Sequence, residues 1–257
     1  MTTKQTNRLV VVFTWLVVLY GSTTYADLVA HYNFTQQPGV TAVDESSGGT
    51  NDIPVTCVQG APTRLANEEG RSGVMSFVIT GGKMRLSTPV EKPANGAPFT
   101  VALWAKSDDP AQDDFGSLFS NGQGGTNHFQ IDSDGNGNWR LFGGAYNTPF
   151  GPLVDTWTHL AVTWDGATTS WYHNGALVNT GATNPGGNFD NFRIGANRAD
   201  NADGPVDAEI DDVRIYDEAL DAAAIATLAT PIPEPTSLLL AALGLLGLLC
   251  GRRRRCR

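Results

Sequence analysis

The segment from Trp157 to Asn179 constrains the fold of this 257-residue chain more than any other part of the sequence. Its first half alternates apolar and polar residues, as a strand does when its two faces meet different surroundings. The dipeptides Asp165-Gly166 and Asn174-Gly175 then interrupt the pattern twice. Such dipeptides tolerate positive φ in tight hairpins, whereas parallel strands would need a crossover of about a dozen residues. The segment therefore predicts an antiparallel meander.

Composition also favours short strands joined by turns over a helical bundle. The chain has 29 glycines and 14 prolines, and 17% of its residues are charged. All-β folds of this length are often single domains, so we expect one core. Asp221 is predicted to cap a short helix from Ala222 to Leu228. The other predicted strands are 28–34, 53–58, 74–80, 84–86, 99–106, 118–120, 129–132, 139–142, 192–194 and 209–216.

Two blocks of sequence resemble a known family. The central segment contains a Trp-x-His-x-Ala strand, a Trp-Asp-Gly turn and a strand that ends Tyr-x-Asn-Gly, and the second block is EIDDVRIY from Glu209 to Tyr216. Both are similar to laminin-G-like domains of the concanavalin A-like lectin/glucanase superfamily. The resemblance implies an all-β, concanavalin A-like jelly-roll sandwich of two antiparallel sheets over residues 27–230, with a short C-terminal helix before the tail.

The first 26 residues have the pattern of a signal peptide. Lys4 and Arg8 give a basic start, the run from Leu9 to Tyr20 is apolar apart from Thr14, and small residues precede Ala26. We expect export and cleavage after Ala26. A membrane anchor is the competing interpretation, but the apolar run is short for a spanning helix.

The C-terminal segment, residues 231–257, combines a proline-rich break, an apolar run and an arginine cluster. A helix from Thr236 to Gly251 would span only ~24 Å at 1.5 Å per residue. That length is short of a hydrocarbon core of ~30 Å, so a permanent anchor would be marginal. Because positive flanks stay in the cytoplasm, the rest of the chain would lie on the outer side of the membrane.

This order of elements resembles the PEP-CTERM sorting signal of Gram-negative bacteria that make exopolysaccharide. In that family the apolar transmembrane helix is a transient inner-membrane tether that an exosortase recognises. The resemblance implies localisation to the cell envelope, cell surface or extracellular matrix; a plain C-terminal anchor is the alternative. The implied sorting residues are Pro233, Glu234, Pro235, Arg252, Arg253, Arg254 and Arg255.

The charge of the processed chain argues against a nucleic-acid partner. Two basic residues leave with the signal peptide and five with the tail 252–257, so ten of the 17 remain against 26 acidic residues. The resulting net charge is about −16, whereas nucleic-acid binding needs a positive surface. Such a domain suits neutral glycans, basic partners or divalent cations.

A glycosidase motif is present only in part. Related laminarinase-type enzymes carry Glu-x-Asp followed by a further Glu, and Glu209-Ile210-Asp211 supplies the first two carboxylates. Retaining hydrolysis needs two carboxylates about 5 to 5.5 Å apart, one as nucleophile and one as acid. Where the last Glu is required, this chain has Val213 and Arg214, neither of which can act as a general acid.

The resemblance also implies a structural calcium ion. In jelly rolls of the family, a cation commonly ties the loop after the first strand to the closing strand. We expect Asp211 to be the preferred ligand because it shares strand parity with Val213 and Ile215, whose side chains should face inward. The alternative is that both segments are solvated turns and strand ends. The full set of implied Ca²⁺ ligands is Asp44, Ser47, Asn51, Asp211 and Asp212.

A second acidic segment, Asp132 to Gly137, matches the first half of a calcium loop. Position 12 would be Gly143 instead of a bidentate Glu, and the segment lies between two predicted strands. A polar hairpin is therefore the favoured interpretation.

Aromatic residues offer flat apolar faces for sugar rings when they are exposed. Sequence alone does not separate exposed aromatics from core ones, and for Trp104 and Trp164 we favour the core. The candidate ligand-binding residues are Trp139, Tyr146, Asn147, Trp171 and Tyr172.

These observations favour an exported, surface-sorted binding or adhesion module for glycans or extracellular matrix, without catalysis. The alternatives are an architectural envelope protein with no specific ligand and an unusual polysaccharide-degrading glycoside hydrolase. The expected partners are an extracellular glycan, an exosortase-type enzyme and, transiently, the inner membrane.

Overall fold

A computed structural model gives the fold of the chain. The predicted signal peptide before Ala26, the loop 47–52 and the tail 232–257 lie outside the described residues. The described residues are 26–35, 41–46, 53–57, 62–66, 68–77, 84–86, 96–107, 109–121, 129–143, 146–182, 184–186, 189, 192–197 and 206–231. No helix within them is long and apolar enough to cross a membrane.

Sixteen strands and one helix form the regular structure of this part of the chain. The strands are β1 (Leu28–Tyr32), β2 (Thr41–Ala42), β3 (Ile53–Cys57), β4 (Thr63–Leu65), β5 (Val74–Ser76), β6 (Met84–Leu86), β7 (Phe99–Lys106), β8 (Ser117–Ser120), β9 (Gln130–Ser133), β10 (Asn138–Gly143), β11 (Tyr146–Pro152), β12 (Thr158–Trp164), β13 (Thr169–His173), β14 (Ala176–Gly181), β15 (Arg193–Ile194) and β16 (Glu209–Tyr216). The helix is α1 (Ala222–Leu228).

The strands form antiparallel sheets, as predicted. The larger sheet has eight strands in the order β14-β13-β12-β7-β16-β5-β4, with β1 also paired to β16. A five-stranded sheet has the order β11-β10-β9-β8-β15, and a three-stranded sheet, β2-β3-β6, meets it where β6 lies beside β15. The predicted sandwich is confirmed.

A single hydrophobic core fills the space between the sheets. From the larger sheet, β7 contributes Phe99, Val101 and Leu103, which alternate along the strand and are fully buried. On the side of the five-stranded sheet, Phe119 of β8 and Phe129, which directly precedes β9, pack against each other with ring centres 5.9 Å apart. Because successive side chains of a strand point to opposite faces, these alternating residues all lie on the core side of their sheet.

The predicted meander is confirmed as β12, β13 and β14. Leu160 and Val162 enter the core while Ala161, between them, packs on the opposite face of the sheet. Asn174 and Gly175 both have positive φ, at 50° and 79°, as a tight two-residue hairpin turn requires. The turn chemistry therefore sets the register of the last two strands.

The predicted helix α1 and its cap are also confirmed. Asp221 accepts a hydrogen bond from the backbone N of Ala224 at 2.8 Å. Ile225 is fully buried and packs with Ala102 and Tyr172 on the outer face of the larger sheet. The helix thus covers part of a face that would otherwise expose apolar side chains to water.

Three short or irregular strands were not predicted, namely β2, β4 and β11. β11 contains Pro149 and Pro152, which cannot donate a ladder hydrogen bond and normally argue against a strand. It lies at the edge of the five-stranded sheet, where the missing donors cost little. The edge position of β11 in the sheet thus allows a strand that its prolines argue against.

Candidate functional site

The closing strand β16 contains a β-bulge at Asp211 and Asp212. β16 pairs with β5 up to Ile210 and with β1 from Val213 onward. Along its other edge it pairs with β7, but the register shifts between Asp211 and Arg214. Asp212 has a φ of 52°, which is uncommon for a residue other than glycine. The two carboxylates therefore lie where the closing strand changes neighbours.

The bulge corrects the predicted orientation of Asp211. Val213 and Ile215 face the core as predicted, but so does Ile210. Asp211 lies opposite Trp104, on the outer face of the eight-stranded sheet, because an inserted residue reverses the alternation of side chains. The prediction that Asp211 faces inward with Val213 and Ile215 is wrong.

Asp211 is paired with a cation that comes from a distant part of the chain. Nη1 of Arg71 lies 2.7 Å from Oδ2 of Asp211, and the two side chains are 6% and 5% exposed. The guanidinium carbon also lies 4.2 Å from the ring centre of Trp104 and 4.4 Å from that of Trp157. Burial raises the pKa of Asp211 to about 6, and hydrogen bonding to Arg71 acts against that shift.

His31 joins the loop after β1 to the closing strand. Its Nε2 lies 2.6 Å from Oδ1 of Asp212, and its backbone N donates to Oδ1 of Asp44 at 2.9 Å. Nε of Arg214 donates to the same oxygen of Asp212 at 2.9 Å. Although burial acts to raise it, hydrogen bonds from His31 and Arg214 hold the pKa of Asp212 below its ordinary value. His31 of β1 therefore lies between Asp44 and the closing strand, and the first and last strands are neighbours, as predicted.

These contacts leave the predicted calcium ion untested. Ser47 and Asn51 lie outside the described residues. Asp211 faces Arg71, and Asp212 faces two basic side chains, so neither carboxylate is surrounded by oxygen ligands alone. In the described ranges no group of three or more His, Cys, Asp or Glu side chains could hold a metal. The calcium ion stays a prediction.

The structure buries the four aromatic candidates, three of them in the core between the sheets and Tyr172 beside α1 on the outer face of the eight-stranded sheet. Trp139, Tyr146, Trp171 and Tyr172 are between 1% and 8% exposed. The rings of Tyr146 and Trp171 contact each other edge to face, with centres 5.1 Å apart. Of the two interpretations that the sequence left open, burial is the one observed for these four residues.

Asn147 is the exposed member of the candidate set, and it borders a polar cluster on the outer face of the five-stranded sheet. Nη1 of Arg140 donates to Oδ1 of Asn147 at 3.3 Å. Nε and Nη2 of Arg140 donate to the two carboxylate oxygens of Asp132 at 2.9 and 2.7 Å. Oδ1 of Asp114 lies 2.9 Å from Nη2. The members of this Arg140 cluster are Asp114, Phe115, Asp132, Arg140, Phe142 and Asn147.

The register of one hairpin builds the centre of the cluster. Arg140 of β10 lies directly opposite Asp132 of β9, and Leu141 lies opposite Ile131. Leu141 and Ile131 are in the core, so Arg140 and Asp132 share the outer face. The segment between the strands is a turn in which Asp134 accepts hydrogen bonds from two backbone N atoms. The hairpin interpretation of this acidic segment is confirmed.

The electrostatics of the cluster are those of a buried ion pair with an additional, exposed acid. Asp132 is 0% exposed, and burial raises its pKa to about 7, while hydrogen bonds from Arg140 act to lower it. Gln130 donates a further hydrogen bond to Asp132 at 2.7 Å. Asp114 is 50% exposed and pairs with the same guanidinium. Two carboxylates thus share one cation.

Two phenylalanine rings cover the guanidinium. The ring centres of Phe115 and Phe142 lie 4.7 and 4.9 Å from Cζ of Arg140. Phe115 has a φ of 69°, a strained conformation for a bulky side chain. Its backbone N donates to the carbonyl oxygen of Ser133 at 3.0 Å, which fixes the strained residue to β9. The cluster therefore combines fixed aromatic rings with polar groups that reach the surface.

Comparison with known families gives two matches to the sequence. Residues 80–226 match a laminin-G model described as the concanavalin A-like lectin/glucanases superfamily. Residues 231–255 match the PEP-CTERM protein-sorting motif. No curated protein matches the chain at a significant level.

Several solved structures share the fold. Domain 4 of AbnA, a GH43 extracellular arabinanase from Geobacillus stearothermophilus in complex with arabinotriose, superposes with a TM-score of 0.63 at 24% identity, over 80% of this chain and 99% of that domain. Trypanosoma rangeli sialidase superposes with a TM-score of 0.57 at 20% identity, over 79% of this chain but 32% of the sialidase. The binding domain of botulinum neurotoxin serotype D superposes with a TM-score of 0.56 at 15% identity, over 79% of this chain and 50% of that domain. At these identities the likeness shows the fold alone.

Proposed function

Because the chain belongs to the laminin-G-like family of the concanavalin A-like lectin/glucanase superfamily and carries a PEP-CTERM sorting motif, we propose that it is a surface-sorted binding or adhesion module without catalysis. The motif indicates export and surface sorting in Gram-negative bacteria. The ligand that we propose is an extracellular glycan or matrix polymer.

The pairing of the closing-strand carboxylates supports a non-catalytic role and carries this proposal. Asp211 is held by Arg71 at 2.7 Å, and Asp212 by His31 at 2.6 Å and Arg214 at 2.9 Å. A retaining glycosidase needs two carboxyl groups that are free to act on the substrate as nucleophile and acid. In this chain Val213 and Arg214 stand where the motif requires its last Glu, and Asp211 is already neutralised by Arg71.

A glycan ligand is supported by the neighbours in structure, though they establish only the fold. The arabinanase domain is described in complex with arabinotriose, and the neurotoxin domain is a binding domain. This chain covers 99% of the arabinanase domain and 50% of the neurotoxin binding domain, so the shared fold makes up all of the first and half of the second. The ligand itself is not transferable from them.

A glycan array tests the proposal directly. The processed protein, labelled and applied to immobilised neutral and acidic glycans, should bind a defined subset of them. A reducing-sugar assay on β-glucans and arabinans should show no release above a buffer blank. Absence of binding across the array would favour the architectural role, and sugar release would establish a hydrolase.

We expect the mature protein to lack Arg252–Arg257 and to be found outside the inner membrane. Replacing Pro233, Glu234 and Pro235 with alanines should leave the precursor in the membrane fraction, because the proposed exosortase no longer recognises the tail. Intact-mass analysis of the native protein provides the measurement. A native protein that still carries the arginine tail would contradict the prediction, and unchanged processing of the alanine variant would favour a simple anchor.

We also propose that a calcium ion stabilises the loop after β1. Asp44 is 4% exposed, and the loop 47–52 supplies further oxygen atoms in its sequence. If the ion binds the folded state alone, a free calcium concentration of 100 times the dissociation constant should raise the free energy of unfolding by ~2.7 kcal/mol. Thermal unfolding with calcium and with chelator measures the effect. The Asp44→Asn variant should lose the response, and equal midpoints for the unmodified protein in both buffers would exclude the ion.

A further inference from the structure

We propose that the Arg140 cluster binds a neutral sugar unit through two adjacent hydroxyl groups. This inference rests on the proposed function, because it takes a glycan as the ligand of the domain. It locates binding on the outer face of the five-stranded sheet. That face is distinct from the bulge at Asp211 and Asp212 and from the buried aromatic residues that the sequence suggested.

Three groups of the cluster retain hydrogen-bonding capacity: Asn147 and Asp114 at its exposed rim, and Arg140 behind them, which is 4% exposed. Within the described residues, one Nη1 hydrogen of Arg140 and the side-chain NH₂ of Asn147 have no acceptor, and the second carboxylate oxygen of Asp114 has no donor. Asn147 and Asp114 contact different nitrogens of the same guanidinium, so the three groups lie side by side. Adjacent hydroxyls both donate and accept, which matches this set of two donors and one acceptor.

The aromatic rings supply the apolar part of the site. Phe115 and Phe142 are half-buried, and both lie against Arg140. Apolar surface beside a few fixed polar groups is the usual composition of a small-molecule site. The positive φ of Phe115 is an independent sign, since strained residues persist where the surrounding structure holds them and are frequent at ligand clamps.

The charge of the cluster selects against anionic sugars. One guanidinium faces two carboxylates, Asp132 and Asp114, of which Asp114 is at the surface. A carboxylate on a uronic or sialic acid would meet an exposed like charge and a cation that is already paired. The chain as a whole is also acidic, with a net charge of −9. A neutral hexose or pentose therefore fits the site better than an acidic one.

The test is calorimetric titration of the full chain, purified in mild detergent, with arabinotriose, laminarihexaose and an oligouronate. At least one neutral sugar should bind, and Asp114→Ala and Asn147→Ala should each weaken that binding about tenfold through loss of a hydrogen bond. Asp113→Ala is the matched control: it removes the same charge from the adjacent exposed residue, which does not contact Arg140. It should bind as the unmodified chain does.

The outcomes separate this site from the proposed function. If neither the neutral sugars nor the oligouronate binds, both the glycan-binding function and the site are overturned. If the oligouronate alone binds, the function stands and this site is wrong. If a sugar binds equally to the unmodified chain, Asp114→Ala and Asn147→Ala, the function stands and this location is wrong. Oligouronate binding as tight as that of the neutral sugars would overturn the charge argument. If Asp114→Ala lowers the unfolding midpoint, Asp114→Asn, which keeps the shape of the side chain, replaces it.

Discussion

Replacing Arg140 with methionine is expected to lower the free energy of unfolding by about 3 to 5 kcal/mol at pH 8, the cost of breaking a buried ion pair. The substitution leaves Asp132, which is 0% exposed, without its cation. Methionine retains most of the apolar volume of the arginine side chain, so the loss reports chiefly on charge. Urea unfolding of the purified protein, followed by tryptophan fluorescence, measures it.

The loss should be smaller at pH 5. Burial already raises the pKa of Asp132 to about 7, and without Arg140 it rises further. A carboxyl group with a higher pKa in the folded state stabilises the protein at low pH, and this contribution is lost as pH rises through the folded-state value. The variant can therefore protonate Asp132 at pH 5 but not at pH 8. The double variant Arg140→Met, Asp132→Asn should recover much of the stability at pH 8. Equal losses for Arg140→Met at both pH values would show that the loss does not come from the charge of Asp132.

Gly73→Ala is expected to destabilise the protein by about 3 kcal/mol or more, at the upper end of overpacking effects. A Cβ atom at this position would lie 2.4 Å from the carbonyl carbon of Phe34 and 2.5 Å from the backbone N of Thr35. These backbone atoms directly follow β1 and cannot rotate away as a side-chain end can. The unfolding midpoint should fall by roughly 6 to 12 °C, as calorimetry would measure for a domain of this size.

The matched control is Gly166→Ala. Gly166 has a φ of 95°, but no atom lies within 4 Å of a Cβ built there. Only the backbone cost of positive φ applies, about 1 to 2 kcal/mol. A loss at Gly73 no larger than the loss at Gly166 would show that the segment after β1 can move, and would contradict the close approach.

The parts of the fold that sequence predicted are those fixed by local chemistry. The turn at Asn174-Gly175 and the helix capped by Asp221 each depend on residues a few positions apart, and both are confirmed. The ion pair between Asp132 and Arg140 was missed. The predicted strands 129–132 and 139–142 are centred between Gly135 and Asn136, whereas the observed register is centred on Asn136 and places the two residues opposite each other.

The rest depends on tertiary structure. Counting by twos along β16 gives the wrong face for Asp211, because the bulge inserts a residue without a signature such as glycine or proline. Its partner Arg71 is 140 positions away and precedes a different strand. The burial of Trp139 and Trp171 could not be predicted because alternation shows that a strand has two faces without showing which one meets the other sheet.

The position of β16 in the larger sheet has a consequence for the order in which the domain can form. This strand lies between β7 on one edge and β5 and β1 on the other. The backbone N of Asp27 also donates a hydrogen bond to Oδ1 of Asp217, 190 positions later in the chain. A polypeptide that emerges amino end first cannot close this sheet until Tyr216 has emerged, because the strand that joins its two halves comes last. The carboxyl-terminal tail leaves the translocation channel after β16. Cleavage at that tail would therefore release the protein from the membrane only after β16 has emerged and the sheet can close.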